Sequence, residues 1–522
     1  MSSLPQTSAQ PIDAISDTIH SQRPPLLSET YVPQTLPSVL GHRDMFFMYV
    51  CALFLLTNAV LGASGGAVSL IYLVVGAVIF FVPCVVAAAQ LGVLFPHEGS
   101  LYNWTYHALG SFWSVFVGLL YWVTGVLALV TGCDAFVTVL QGLNNAWLPE
   151  PWQQGLVILG IIFVTTLICL QRTRTVQNII NGIAVAIMIS VALIIVGAIV
   201  WLLKGHPAQT NFTTASSWSI NPSNFFFFGI ITLNFIGASG PLTMAGEFRG
   251  ASSENEDIRR SIVLRHLRWG SLCVFLLYFL VSLALLVVRG QAMGNAVVLP
   301  FEGFTTVDVS LGKLVGDIAV CGFLFYCFVS AIFYSMISSR ILMVASIDRR
   351  LPQWFARLNR ERVPKNALIF QSFFAAAIVI IVFLISPYVV KIGGSSANTL
   401  LVIYNILSAA LTLVWTLATL FFFINIISLY QRNAQQLKKN RVLPMPVLWL
   451  SVIIGGIASL VTIVGILTYS WIPTLVQNGL WWLFVGGLAI AVLIVATIGG
   501  LIASGEASWE EASSETSNNI FQ

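Results

Sequence analysis

The chain has 522 residues, of which 57% are hydrophobic and only 8% charged, with a formal net charge of +4. A water-soluble fold carries about 25% charged residues, so this composition excludes a soluble enzyme or binding domain and requires a surface that faces lipid. The few basic residues form no patch interleaved with exposed aromatics, which excludes nucleic acid as a partner.

Residues 1–44 are polar and carry Pro5, Pro11, Pro24, Pro25, Pro33 and Pro37. They read as a disordered cytosolic tail, with no apolar core of a signal peptide leading the chain. A helix needs about 20 apolar residues to cross the hydrocarbon core. Residues 45–503 supply twelve such spans, near 45–61, 67–95, 113–141, 153–171, 177–203, 224–247, 268–288, 315–346, 367–386, 397–428, 445–471 and 479–503. Long uncharged runs such as Gly155–Leu170 fit helices, whereas barrel strands would alternate every second residue. Residues 504–522, rich in Ser and Glu, read as a second, acidic cytosolic tail.

Charge orients the bundle. With the N-terminus in the cytoplasm, the outer segments hold only Lys204, Arg289, Lys313 and Lys391, and the other twenty of the 24 basic residues face inward. This is the positive-inside pattern, and an odd number of spans would scramble it. The expected location is the cell membrane, crossed many times, with both termini cytoplasmic. The seven cysteines lie in apolar stretches without zinc-site spacing and read as packed thiols, so neither metal nor cofactor is expected. Asn211-Phe-Thr is a glycosylation sequon on the outer side.

The sixth span carries the strongest signal. After Asn234 comes Gly237-Ala238-Ser239-Gly240-Pro241, near mid-span. Glycine loosens the backbone, and Pro241 donates no N–H to the helix ladder but suits the first turn of a new half-helix, capped by Ser239 or Gly240. Broken backbone at membrane depth is tolerated only where protein buries it or water lines it. Transporters use such breaks for binding: N–H groups of one half-helix face an anion, and carbonyls of the other face a cation. A zwitterionic amino acid suits both ends, and a proline kink without a ligand is the structural alternative. A similar string, Thr57–Gly66, occurs earlier. It reads either as an equivalent break in span one or, as length favours, as the outer turn between spans one and two.

Acids are rare in the spans. Asp134, in span three, lies about seven residues from the outer end, roughly 10 Å deep at ~1.5 Å per residue. A buried carboxylate there needs a cavity or a partner. It suits recognition of an ammonium or a coupling proton, or else a structural hydrogen bond. Glu247, near the inner end of span six, is expected to pair with Arg249, Arg259 or Arg260. Trp122, Tyr326, Tyr334 and Trp415 are candidates to line a pocket or to pack.

Three segments carry a family resemblance. Phe95-Pro-His-Glu-Gly-Ser-Leu-Tyr-Asn-Trp resembles the loop after helix two, Gly246-Glu-Phe-Arg the segment leaving helix six, and Ser339-Arg-Ile-Leu-Met through Asp348-Arg-Arg-Leu-Pro to Val363-Pro-Lys-Asn-Ala-Leu the stretch joining helices eight and nine. The chain thereby resembles the amino acid–polyamine–organocation superfamily. The resemblance implies an all-α membrane fold of two inverted five-helix repeats plus two helices. It also implies alternating-access transport of amino acids or related amines, and substrate contact at the breaks of helices one and six. Alignment of the helix-one break falls on Cys51, Ala52 and Leu53. Where many relatives have an acid in helix six, this chain has Ser239. The partners implied are a small-molecule substrate, the bilayer, and a coupling proton or an exchanged amine. A polyamine or other organic-cation transporter of the same fold is the near alternative. A membrane enzyme lacks support because no two of the six histidines pair at helical spacing within a span. A channel lacks support because no filter-like loop is evident. No phosphate-binding G-x-x-x-x-G-K-[ST] loop is present, so a gradient must supply the energy.

Overall fold

A computed structural model describes residues 23–144, 147–249, 256–290, 302–389 and 396–520. Among these, eleven helices are long and apolar enough to cross a bilayer, and a bent pair makes a twelfth crossing. The bent pair is span one, His42–Leu53 followed by Leu56–Ala63, turned by 43°. The others are Ala67–Leu94, Ser111–Gln141, Pro151–Cys169, Thr173–Leu203, Pro222–Glu247, Asp257–Val288, Val309–Ile347, Lys365–Val389, Leu401–Lys439, Met445–Thr468 and Asn478–Gly505, numbered two to twelve in that order. The all-α membrane fold and the twelve expected spans are thus present. Residues 1–22 of the expected tail, and Lys391 of the charge pattern, lie outside the described residues.

The Gly62–Gly66 cluster is the turn between spans one and two. Gly66 has φ +75°, a conformation that costs glycine little and other residues more. Its likeness to Gly237–Pro241 is therefore local composition and not an equivalent break. Span one breaks earlier, at Phe54 and Leu55, both extended.

Spans three and eight pack along each other more extensively than any other pair. Small residues allow the approach: a Cβ added at Gly125 would collide with the Ser338 hydroxyl, the small-residue contact that replaces hydrophobic driving force inside a bilayer. Spans eleven and twelve pack outside this core, against span ten and span three respectively. Their outer faces expose Ile453, Ile457, Ile494 and Ile498, as lipid contact requires.

Both tails depart from expectation. Leu27–Thr35 is a helix, and Val32, Leu36 and Leu40, four residues apart, are buried under the basic end of the bundle. That apolar stripe is partly hidden by Pro33 and Pro37 in the sequence. Ser28 donates from its backbone N and its hydroxyl to Asp348, at 2.7 and 2.9 Å. Leu40 exchanges backbone hydrogen bonds with the end of span six, donating to the Glu247 carbonyl and accepting from Arg249. At the other terminus the helix Gly487–Ile520 runs through most of the expected tail, whose Ala and Glu residues favour helix.

Candidate functional site

The break in span one leaves the last carbonyls of His42–Leu53 without helical partners. Tyrosine hydroxyls take them. Tyr326 donates toward Cys51 at 3.3 Å, and at the same distance toward Val50, whose carbonyl also accepts from the Phe54 N–H, and Tyr334 donates to the Ala52 carbonyl. Tyr278 donates to the Leu53 carbonyl at 2.6 Å and accepts from the Leu55 N–H at 3.0 Å. Three residues from spans seven and eight thus hold the unwound point, where each unsatisfied group would otherwise cost several kcal/mol in hydrocarbon (~1–3 by mutation).

Span six breaks where expected. The α-helix Phe226–Phe235 ends, Ile236 is extended, and Gly237 takes φ +91°. A 3-10 helix, Gly240–Glu247, follows, with Pro241 in its first turn. Ser239 stands at the cap position, but its hydroxyl lies 3.1 Å from the Tyr121 hydroxyl and makes no capping bond. Gly237 is needed twice over, because a Cβ there would meet the positive φ and would also lie 3.0 Å from the Trp415 ring.

Between the two breaks lies a cavity of about 20 Å³, room for about one water. Span one lines it with Ala52, Leu53, Leu55, Thr57 and Asn58, span three with Ala128, Thr131, Gly132 and Ala135, and span six with Leu233 and Ile236. Tyr334, Tyr404, Leu411 and Trp415 complete it. Tyr121 and Tyr334 meet the Trp415 ring edge to face, at 5.6 and 5.8 Å. Polar atoms are left over nearby: Trp415 Nε1, Asp134 Oδ2 and both side-chain polar atoms of Asn234 are buried without a hydrogen-bond partner.

The residues singled out from sequence divide accordingly. Ala52 and Leu53 line the cavity, and Cys51 lies one residue back, its carbonyl on Tyr326. Gly237, Ala238, Ser239 and Gly240 are buried but do not line it. Gly237 sits behind Trp415, and Gly240 faces Phe333 and Ile337. Asn234 and Asp134 are each adjacent in sequence to lining residues, Leu233 and Ala135. Of the four aromatics, Tyr334 and Trp415 line the cavity and Tyr326 caps span one, while Trp122 stacks on Phe370 and Phe374. Sequence reasoning missed Tyr278, Tyr404, Asn58 and Thr131. A hydroxyl or amide facing an apolar neighbourhood is too common a feature to single them out.

Beneath the cavity, on the basic face, Arg340 of span eight is buried between two carboxylates. It donates from Nε and Nη2 to Glu247 Oε1, at 3.0 and 2.8 Å, and its Nε lies 3.9 Å from Glu98 Oε1. This corrects the expected pairing of Glu247 with Arg249, Arg259 or Arg260. A carboxylate with no exposure needs a partner that is equally buried, and Arg340 is 1% exposed. Glu98, in the loop after span two, also accepts from the Gly246 N–H at 2.8 Å. Burial first, then the charge of Glu247, push its carboxyl well above the usual carboxylate range.

Comparisons with known proteins agree with this architecture. A family model described as "Amino acid permease" matches residues 40–509. The aromatic amino acid transport protein AroP of Corynebacterium glutamicum is 24% identical over 390 residues, covering 70% of this chain and 76% of that protein. The lysine-specific permease LysP of Escherichia coli is 24% identical over 332 residues, 60% of this chain and 64% of that protein. Among solved structures, a manganese transporter of Eremococcus coleocola shares the fold at TM-score 0.55 and 15% identity, over 89% of this chain and 94% of that one. The match spans all twelve crossings and both breaks, and the chain belongs to the amino acid permease family: it is a secondary transporter of amino acids and not an enzyme.

Proposed function

We propose that the cavity between the breaks of spans one and six is the centre of the substrate site, and that an α-amino acid binds there with its charged ends on backbone. The observation that carries this is the convergence on one cavity of Leu55–Asn58, where the second half of span one begins, and Leu233–Ile236, where the first half of span six ends. The N–H end of a helix favours a carboxylate and the carbonyl end favours an ammonium. The carbonyls of span one are already occupied by tyrosines, so span six supplies the ammonium side. Asp134, buried one residue from the cavity wall, is a second candidate for the ammonium or for a coupling proton. Apart from the uncharged Thr57, Asn58 and Thr131, the wall offered to the substrate side chain is apolar and aromatic, with small residues on span three. This favours a neutral side chain over a polyamine, whose second charge would meet no lining carboxylate.

The site as described holds no more than about one water. Binding therefore requires Trp415 or Tyr334 to move, as alternating access demands. The charge bias supports a topology with both termini in the cytoplasm, and we read the chain as a protein of the cell membrane. Single cysteines at Asn359 and Gln435 should then label from the cytosol, and one at Gln209 from outside. The substrate reading is tested by thermal stabilisation of purified protein with a panel of amino acids and amines. A ligand at 100-fold its Kd adds about 2.7 kcal/mol. Stabilisation by amines that lack a carboxylate, and by no amino acid, would replace the reading with the organic-cation alternative.

A further inference from the structure

A second cavity, of about 850 Å³, opens at the basic face between the start of span one, span five and span seven. Its wall carries His42, Arg43, Arg174, Arg249 and Arg265, and one carboxylate, Asp44. Asp44 is fully engaged. It accepts from Arg174 Nη1 at 2.9 Å, from Asn181 Nδ2 at 2.7 Å and from the Gly41 N–H at 2.9 Å. Arg43, Arg249 and Arg265 therefore face a cavity whose described lining offers no further anion. His42 Nδ1 is buried there without a hydrogen-bond partner. Positive charge gathered in a cavity of this size is costly unless an anion enters.

The position of the cavity says what kind of anion. Phe47 and Val185 also line it, and Val185 is 45% exposed. Further along spans five and seven, Ile189, Trp269 and Leu272 are exposed on faces that only acyl chains cover. Trp269 is of the type that collects at the membrane–water boundary. The mouth thus passes from guanidinium groups to lipid-facing side chains within a few residues. A free phosphate would use the first part and leave the second unfilled.

We propose that this cavity binds the headgroup of an anionic phospholipid from the adjoining leaflet. The phosphate is held by Arg43, Arg249 and Arg265, and the acyl chains lie along Val185 and Ile189. Basic pockets between membrane helices take such headgroups by this chemistry. The bound lipid would tie the first half of span one, which ends at the substrate site, to spans five and seven.

The test is thermal stability of the purified full chain in mild detergent with dioctanoyl phosphatidylglycerol, dioctanoyl phosphatidylcholine or inorganic phosphate. Phosphatidylglycerol should raise the melting temperature by several degrees, and the other two by much less. Arg43→Gln/Arg265→Gln should lose most of that shift, and Arg265→Gln alone part of it. Both side chains are exposed, so the variants should fold. Arg357→Gln/Arg360→Gln, in the basic segment before span nine, should keep the full shift. An equal response to phosphatidylcholine, an undiminished shift in the double variant, or no shift in the wild type would each overturn the proposal. A full shift with inorganic phosphate would assign the cavity to a soluble anion instead.

Discussion

Arg340 donates twice to a single oxygen of Glu247, from Nε at 3.0 Å and Nη2 at 2.8 Å, so span eight is fastened to the C-terminal end of span six by a forked, fully buried ion pair. Removing one partner of such a pair leaves an uncompensated charge, which costs about 3–5 kcal/mol. Arg340→Met should therefore unfold the protein at markedly lower temperature, measured by thermal denaturation of the purified chain. Glu98→Gln should be mild, because its distance to Arg340 is 3.9 Å and an amide oxygen still accepts from Gly246.

The tyrosine caps on span one give a second expectation. Tyr278→Phe strands both the Leu53 carbonyl and the Leu55 N–H. A buried group left without a partner costs about 1–3 kcal/mol, so this variant should lose stability of that order, whereas Trp122→Phe, which removes no hydrogen bond recorded in the structure, should lose less. Equal losses would show that the hydroxyl is not holding the break.

Docking of the helix Leu27–Thr35 should respond to pH through His97, which faces Glu29, His107 and Arg259. Burial first lowers the His97 pKa below its ordinary 6.5, against the raising effect of Glu29. A base with a depressed folded pKa takes up its proton more readily when released, so docking weakens as pH falls below 6.5. Glu29 acts in the same sense at lower pH. Burial alone would raise it, but the His107 hydrogen bond and the His97 and His107 charges outweigh this and hold it below 4.5, so its contribution is lost as pH falls further. Asp348, pushed up to about 6 by burial, opposes them below pH 6. Comparison with His97→Gln cancels the Asp348 effect. Hydrogen-exchange protection of residues 27–36 should fall more in wild type than in His97→Gln between pH 7.5 and 5.5. Parallel curves would remove His97 from the account.

Much of this is legible in the sequence. Twelve apolar runs and a one-sided basic bias need only hydropathy and charge, and Gly237–Pro241 announces the break in span six by composition. The break in span one is not legible from composition, and only the family resemblance, which aligns it at Cys51–Leu53, points beside it. Phe54 and Leu55 carry no glycine or proline, and the unwound point exists because tyrosines from spans seven and eight receive its carbonyls. Long-range partners of this kind leave no local trace, and the same holds for Glu247. Three arginines lie within about a dozen residues of it in sequence, yet Arg340, 93 residues away, is the partner. The helix Leu27–Thr35 was obscured differently, by prolines that signal disorder in a segment whose every fourth residue is apolar.

Gly237 allows a packing test of the aromatic wall. Gly237→Val should be poorly folded, since it combines φ +91° with a ring 3.0 Å from the new Cβ. Trp415→Ala should fold, enlarge the cavity, and change which amino acids are taken up. Unchanged substrate preference in Trp415→Ala, measured by competition for uptake, would separate Trp415 from recognition.

The central claim is that substrate occupies the space between the breaks of spans one and six. Gly132 lines that space, and a Cβ there has ordinary contacts at 3.7–3.8 Å with Ser330, Ala331 and Cys327 of span eight, so the position accepts a Cβ, and the two methyl groups of a valine are expected to crowd the cavity beside it. Gly160, on span four, has nothing within 4 Å of such an atom and is the control. The direct measurement is equilibrium binding of the preferred amino acid to purified wild type, Gly132→Val and Gly160→Val. The account predicts at least a tenfold loss in Gly132→Val, about 1.4 kcal/mol, with wild-type affinity in Gly160→Val. Wild-type affinity in a well-folded Gly132→Val sample would contradict it and move the substrate away from this cavity.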